Sequence, residues 1–215
     1  MEPARYVIFD LDDTLVHSDA VREAFAAVSC PQGVPPEVLT QTLDALPGRP
    51  ASEIFHALGL PAQPTTDRFL AELDARNQHS PPTPYPDADT TLRELAAAGA
   101  RLLLSTGSSP ERARRVLDHA GWDAFEVVLG CAPTAVKTAA HYDQLSTHAG
   151  DDGWTRNAVT VGDSPADMRL GADHGVPVRI GVDRGGDPNP LFAAGATHVV
   201  SALADILPIL AAAGA

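Results

Sequence analysis

The sequence predicts an α/β fold, a doubly wound parallel sheet with an all-helical unit inserted after the first strand, and three observations predict it. Short apolar runs with the length and β-branched content of buried strands recur along the chain. Segments of helical period separate most of them, and strands alternating with helices require a parallel sheet covered on both faces. The alternation then fails once, between His17 and Asp87, where helical stretches follow one another without a strand.

The first run, Tyr6-Val7-Ile8-Phe9, ends in Asp10. Similar runs follow at Leu102-Leu103-Leu104, Val127-Val128-Leu129, Ala158 to Val161, Val176 to Ile180 and His198-Val199-Val200, with helical segments such as Glu111 to Ala120, Thr138 to His148 and Ala166 to Asp173 between them. The interruption reads as helices near Asp19–Ser29, Pro36–Leu46, Ala51–Leu58 and Thr65–Gln78. Its far boundary is Ser80-Pro81-Pro82-Thr83-Pro84-Tyr85-Pro86, where the prolines exclude a helix and stiffen the chain into one leg of a two-legged hinge. The expected division is a catalytic core of residues 1–17 and 88–215 and a helical unit of residues 18–87.

Length and charge narrow the function classes. A chain of 215 residues, 44% hydrophobic, can bury its own core, and two cysteines, Cys30 and Cys131, are too few for a disulfide scaffold. A reducing, cytoplasmic setting is expected. No apolar run approaches the roughly 18 residues of a membrane span, and the first strand-like run starts at Arg5, too early for a signal peptide to precede it. With 15 basic against 28 acidic side chains and no basic cluster, neither nucleic acid nor an anionic membrane is an expected partner. Positive charge for an anionic ligand must be local or brought by a metal.

Four clusters carry the chemistry. Asp10-Leu11-Asp12-Asp13-Thr14 crowds carboxylates where a buried strand opens into a loop, a repulsion that a divalent cation or a reaction would relieve. Ser105-Thr106-Gly107 follows the second strand and offers hydroxyls and free amides to a phosphate, beside the helix start announced by Ser109-Pro110. Lys137 is the only lysine in the sequence, and a compact ammonium suits a contact between phosphoryl oxygen and carboxylate better than a guanidinium does. In Val161-Gly162-Asp163-Ser164-Pro165-Ala166-Asp167, a capping box explains Ser164 and Asp167 but leaves Asp163, at the end of a buried strand, as an oxygen ligand for a hard cation.

Taken in order, these elements resemble the four motifs of the haloacid dehalogenase superfamily, which match Asp10-Leu11-Asp12-Asp13-Thr14, Ser105, Lys137 and Gly162-Asp163 through Asp167. The likeness is to the members with a Rossmann-like core and a small helical cap, the phosphoglycolate phosphatases and β-phosphoglucomutases. Tyr85-Pro86 with Leu92 to Gly99, and Gly171 to Pro177, also read like that group. Three positions depart from it: Thr106 stands where asparagine is usual, Thr138 where proline is usual, and Asp13 where glycine is frequent.

The resemblance implies a Mg²⁺-dependent phosphatase for a small phosphorylated molecule. Asp10 would be the nucleophile that becomes an aspartyl-phosphate, and Asp12 the general acid and then base, holding a proton beside an ionised Asp10. Asp10, Asp163 and the backbone carbonyl of Asp12 would bind Mg²⁺, while Ser105, Thr106 and Lys137 hold the phosphoryl oxygens. Asp167 would orient Lys137 or a water bound to the metal. Arg49, after Gly48 in a turn between two cap helices, and His17 at the cap entrance are the expected specificity contacts; the remaining histidines lack metal-ligand spacing. Asp12 argues against halide displacement, which needs no acid. The alternatives are a phosphomutase, an inactive binding module and, least in keeping with the length and the helical insertion, a receiver-type signalling domain. The expected oligomeric state is monomer or homodimer.

Overall fold

The computed structural model describes residues 6–213 except 47, 80, 133, 134, 136 and 152, so that Arg5 and Ser80 lie outside the described residues. The strands are β1 (Tyr6–Phe9), β2 (Arg101–Ser105), β3 (Phe125–Leu129), β4 (Ala158–Gly162), β5 (Val178–Val182) and β6 (His198–Val200), all parallel and ordered β3-β2-β1-β4-β5-β6. Order reverses on either side of β1, so the crevice beyond its carboxyl end is where such a sheet takes its ligand.

The strands are apolar on both faces because both are covered. Val7 and Phe9 point with Leu102, Leu104, Val159 and Val161 toward α5 (Ala88–Ala97), α6 (Pro110–Ala120) and α10 (Ile206–Ala213). Tyr6 and Ile8 point with Leu103 to the other face, against Tyr142 and Leu145 of α7 (Ala139–Ala149) and against Trp154. Helices α8 (Pro165–Asp173) and α9 (Asn189–Ala193) pack together through Met168, Leu191 and Ala194.

Between β1 and α5 the described chain forms α1 (Asp19–Ser29), α2 (Pro36–Ala45), α3 (Ala51–Ala57) and α4 (Ala62–His79), close to the expected ranges, with α4 starting three residues earlier because Pro64 is tolerated in its first turn. These helices bury their own cluster around Phe25, Phe55 and Phe69, with ring centroids of Phe25 and Phe69 4.3 Å apart. The two segments that lead in and out pair with each other: His17 donates its amide to Thr83 O at 2.9 Å and Tyr85 to Leu15 O at 3.0 Å. Arg184, in the loop after β5, lies 3.4 Å from the Tyr85 ring centre and donates to Thr14 O at 3.0 Å, which fastens these segments to the sheet. Among the described residues no helix is long and apolar enough to cross a membrane.

Phe55 is fully buried within the aromatic cluster, and truncating it leaves a void that four short helices cannot close. Phe55→Ala is expected to cost about 3–5 kcal/mol, read by urea denaturation. The loss should appear in probes of α1–α4 before probes of the sheet, and a single unchanged transition would contradict the separateness of this cluster.

Candidate active site

The site is built where three neighbouring strands end. β1 delivers Asp10, whose amide donates to Val161 O at 2.9 Å, so the β1–β4 pairing carries on to the first residue of the loop. β4 delivers Gly162 and Asp163. A Cβ on Gly162 would lie 2.5 Å from the Asp167 carboxyl, so only glycine lets the strand end meet the first turn of α8. That turn carries the expected capping box: Ser164 caps the Asp167 amide, while Asp167 accepts from the Ser164 amide at 3.2 Å and hydroxyl at 2.6 Å. β2 delivers Ser105.

Lys137 joins these ends. Its ammonium donates to Asp10 Oδ1 at 2.9 Å, to an oxygen of Asp167, and to Ser105 O at 3.4 Å, with the side chain 9% exposed. Asp10, Asp163 and Asp167 each present a carboxylate oxygen within 4.8 Å of the others. Burial raises Asp10 to a pKa of about 6, against the pull of Lys137. Burial, then Asp10 and Asp167, raise Asp163 well above the usual carboxylate range. Burial works against the charged ammonium, yet Asp10 and Asp167 overcome it and raise Lys137 above the ordinary lysine range. Lysine therefore stays charged, and it neutralises only part of the acid cluster.

That leftover negative charge is the fit test for a metal. Asp163 accepts from Thr14 Oγ1 at 3.2 Å but contacts no cationic side chain among the described residues. An all-oxygen set with uncompensated carboxylates suits a hard divalent cation, and the residues present fit one. Asp167 is engaged by both Lys137 and the capping box.

Asp12 differs from expectation. Its two oxygens take Arg112 in a bidentate pair at 2.7 and 2.8 Å, and Oδ2 also accepts from Ser108 Oγ at 2.7 Å. Burial opposes its charge, but Arg112 and Ser108 outweigh it and hold Asp12 below the usual range. The expectation was a protonated Asp12 beside an ionised Asp10. The protein groups alone put the higher affinity for the proton on Asp10, because Arg112 in α6 serves Asp12 and nothing of that strength serves Asp10.

Thr106 is also corrected. It is fully buried, its amide donates to Leu129 O at 2.9 Å and its hydroxyl accepts from the Ser108 amide at 3.1 Å, so its amide is committed to the sheet and its hydroxyl shapes the loop. Arg49 is exposed and ion-paired with Glu53, and Gly48 beside it lies against Ser164 and Ala166. His17 stacks on Tyr85 with ring centres 3.9 Å apart, between the paired entry and exit segments. Sequence reasoning missed Ser108 and Arg112, one residue on either side of the Ser109-Pro110 helix start, and it missed His141, whose Nδ1 lies 2.8 Å from Ser105 Oγ. Ser108 precedes the N-cap Ser109 while Arg112 lies in the first turn of α6, so no helical spacing links them and the sequence held no signal for the pair.

Removing the lysine tests this balance of charge. Lys137→Met leaves buried acids without their cation and is expected to cost about 3–5 kcal/mol of stability, measured as a melting shift. Burial holds Asp10 at about 6 and Asp163 also high, above their unfolded values, so the folded form binds protons more readily than the unfolded chain. Without Lys137 both acids hold their protons to still higher pH, so the loss is full at alkaline pH and shrinks as pH falls and they protonate; a pH-independent loss would contradict the account.

Comparison with known proteins agrees with this geometry. The chain is 31% identical over 185 residues to the tyrosine-protein kinase PtkA of Mycobacterium tuberculosis, a match covering 81% of this chain and 61% of that protein. The same figures hold for PtkA of Mycobacterium bovis, so this chain spans under two thirds of the length of these curated relatives. Among solved structures, the haloacid dehalogenase-like family protein SP0104 from Streptococcus pneumoniae superposes with a TM-score of 0.82 at 21% identity, covering 95% of this chain and 97% of that one. CbbY from Rhodobacter sphaeroides, solved with phosphate, gives 0.74 at 18% identity, covering 95% and 96%. These two show the shared fold. The haloacid dehalogenase-like hydrolase family matches residues 4–175, most of the sequence and all four clusters at the strand ends, and the chain belongs to that family.

Proposed function

We propose that the protein is a Mg²⁺-dependent phosphatase acting on a small phosphomonoester in a cytoplasmic setting, with Asp10 as the nucleophile. The observation that carries this reading is Lys137, held between Asp10 and Asp167 at the end of β1 with Asp163 beside them. One lysine against three acids leaves the site up to two positive charges short of neutrality, and a phosphoryl group brings more negative charge still. Asp10, Asp163 and the carbonyl of Asp12 would hold Mg²⁺, which supplies the missing charge neutralisation.

The residues then divide the work. Asp10 Oδ attacks phosphorus as the bond to the leaving oxygen breaks, giving an aspartyl-phosphate, and water later cleaves it to regenerate the carboxylate. Lys137 and Ser105 hold phosphoryl oxygens and stabilise the charge that spreads over them. Asp12 gives a proton to the leaving oxygen and takes one from water, for which one of its oxygens must exchange Arg112 or Ser108 for the reacting group. Residues 18–87, from α1 to the exit segment, form the lid, with Arg49 within it and His17 at its entrance; a lid of this size favours small substrates over proteins.

The mycobacterial relatives supply the observation for a second reading. Their name places the phosphoryl group on tyrosine, so transfer from a nucleotide to a tyrosine hydroxyl is the competing activity. Passage of the group to a sugar phosphate, a mutase activity, uses the same aspartyl-phosphate and differs in its acceptor.

Phosphate release from phosphorylated sugars, nucleotides and small acids, with and without Mg²⁺, tests the proposal. Release should depend on the metal. It should fall by at least about 10³-fold in Asp10→Asn and about 10²-fold in Lys137→Arg, whose planar group cannot fit between two carboxylates. Release undiminished in Asp10→Asn would overturn the nucleophile. Phosphotyrosine formed from ATP, without net hydrolysis, would favour the second reading.

A further inference from the structure

Behind the phosphate side of the site, Ser105 opens a buried chain of three polar side chains whose other two members the mechanism above does not use. Ser105 Oγ is 2.8 Å from Nδ1 of His141, in the first turn of α7, and His141 Nε2 is 3.7 Å from Cys131 Sγ, in the loop after β3. Ser105, His141 and Cys131 are 4%, 6% and 4% exposed. The other groups facing the ring are the Gly130 carbonyl and, from the neighbouring loop, the Lys137 ammonium.

A serine hydroxyl has one proton, and the imidazole decides where it points. With Nδ1 bare, Ser105 donates to His141 and turns lone pairs toward a phosphoryl oxygen, which repel it. With the proton on Nδ1, the ring donates to Ser105 Oγ and the hydroxyl proton is free for the phosphoryl group. The ring stays neutral in either form, because burial and then Lys137 oppose a positive charge there. Its neighbours can satisfy both tautomers. Cys131 Sγ, 3.7 Å from Nε2, can accept weakly from Nε2–H, or, as a thiol kept protonated because burial raises its pKa, donate to bare Nε2.

We propose that His141 is a positioning residue that aims the Ser105 hydroxyl, and that a phosphoryl group in the site selects its Nδ1–H tautomer, with Cys131 S–H donating to Nε2. The exchange moves one proton from Nε2 to Nδ1 through solvent and needs no net proton uptake. The proposal rests on the reading of Ser105 as a phosphate contact, given under the proposed function.

The test uses inorganic phosphate with Mg²⁺ and the whole chain. In protein carrying ¹⁵N-histidine, the His141 ring signals, assigned by their loss in His141→Gln, should change from the Nε2–H to the Nδ1–H pattern as phosphate binds. By calorimetry, His141→Leu should weaken phosphate binding about tenfold, the worth of one hydrogen bond to a charged group. Cys131→Val should weaken it several-fold, and Cys131→Ser, which keeps a donor, should restore it; this pair keeps the proposal testable if His141→Leu does not fold. Phosphate binding with unchanged ring signals, or equal affinity in Cys131→Val and wild type, overturns the tautomer assignment and leaves the phosphatase reading standing. No phosphate binding to the wild type overturns both.

Discussion

One ammonium sets the terms for the rest of the site. Lys137 meets Asp10, Asp167 and the Ser105 carbonyl, and so ties together the ends of β1 and β2 and the first turn of α8. Desolvating so many charges is costly unless they are paired and hydrogen-bonded, and the surrounding architecture reads as the means of meeting that cost. The capping box holds Asp167 toward the lysine, glycine at 162 makes room for it, and the β1–β4 pairing runs on through the Asp10 amide. Asp163 is left as the acid without a cationic side chain, which is why the same cluster is both strained for a bare protein and suited to a divalent ion.

The sequence carried the fold and the acids of this cluster because both are written in local terms. Strand ends show as apolar runs that stop at Asp10, Ser105 and Gly162, and the lysine stands out by being alone. Asp13 was noted where glycine is frequent, and the structure gives the reason: its φ is +55°, a left-handed turn that aspartate tolerates, with its carboxylate receiving the Ser18 amide at 3.1 Å. The partners of these residues were not legible. Arg112 reaches Asp12 across 100 positions of sequence and His141 reaches Ser105 across 36, and neither pairing leaves a periodicity or a spacing to read. Thr106 failed for a related reason, since a hydroxyl after a strand looks the same whether it faces a ligand or the amide two residues on.

Arg112 changes what the acid pair means. A guanidinium in bidentate contact fixes the plane of the carboxylate as well as its charge, so Asp12 is oriented by α6 and not by the loop that carries it. The pairing also ties Asp12 to the helix start at Ser109-Pro110, whose preceding residue, Ser108, supplies the third donor. Two neighbouring carboxylates thus answer to different cations: Asp10 to Lys137, Asp12 to Arg112. Aspartates two positions apart on one loop acquire different environments because the strand end and the helix start approach them from opposite sides.

The same loop is the root of the helical insertion, and a few bonds hold the acids and that root together. Leu15 and Val16 fold back to donate to Leu11 O, the Asp13 amide donates to Val16 O, and Thr14 spends its hydroxyl on Asp163 and its carbonyl on Arg184. His17, next along, already pairs with Thr83 of the exit segment, and its ring lies on Tyr85 beneath Arg184. Between Asp10 and His17 the amides of Asp13, Leu15 and Val16 stay within the loop, while the His17 amide and the Leu15 carbonyl pair with the exit segment. Thr14 ties this loop to Asp163 and to Arg184, whereas Asp12 is anchored to α6, so the loop that carries the acids is held from two sides of the cluster by different parts of the fold.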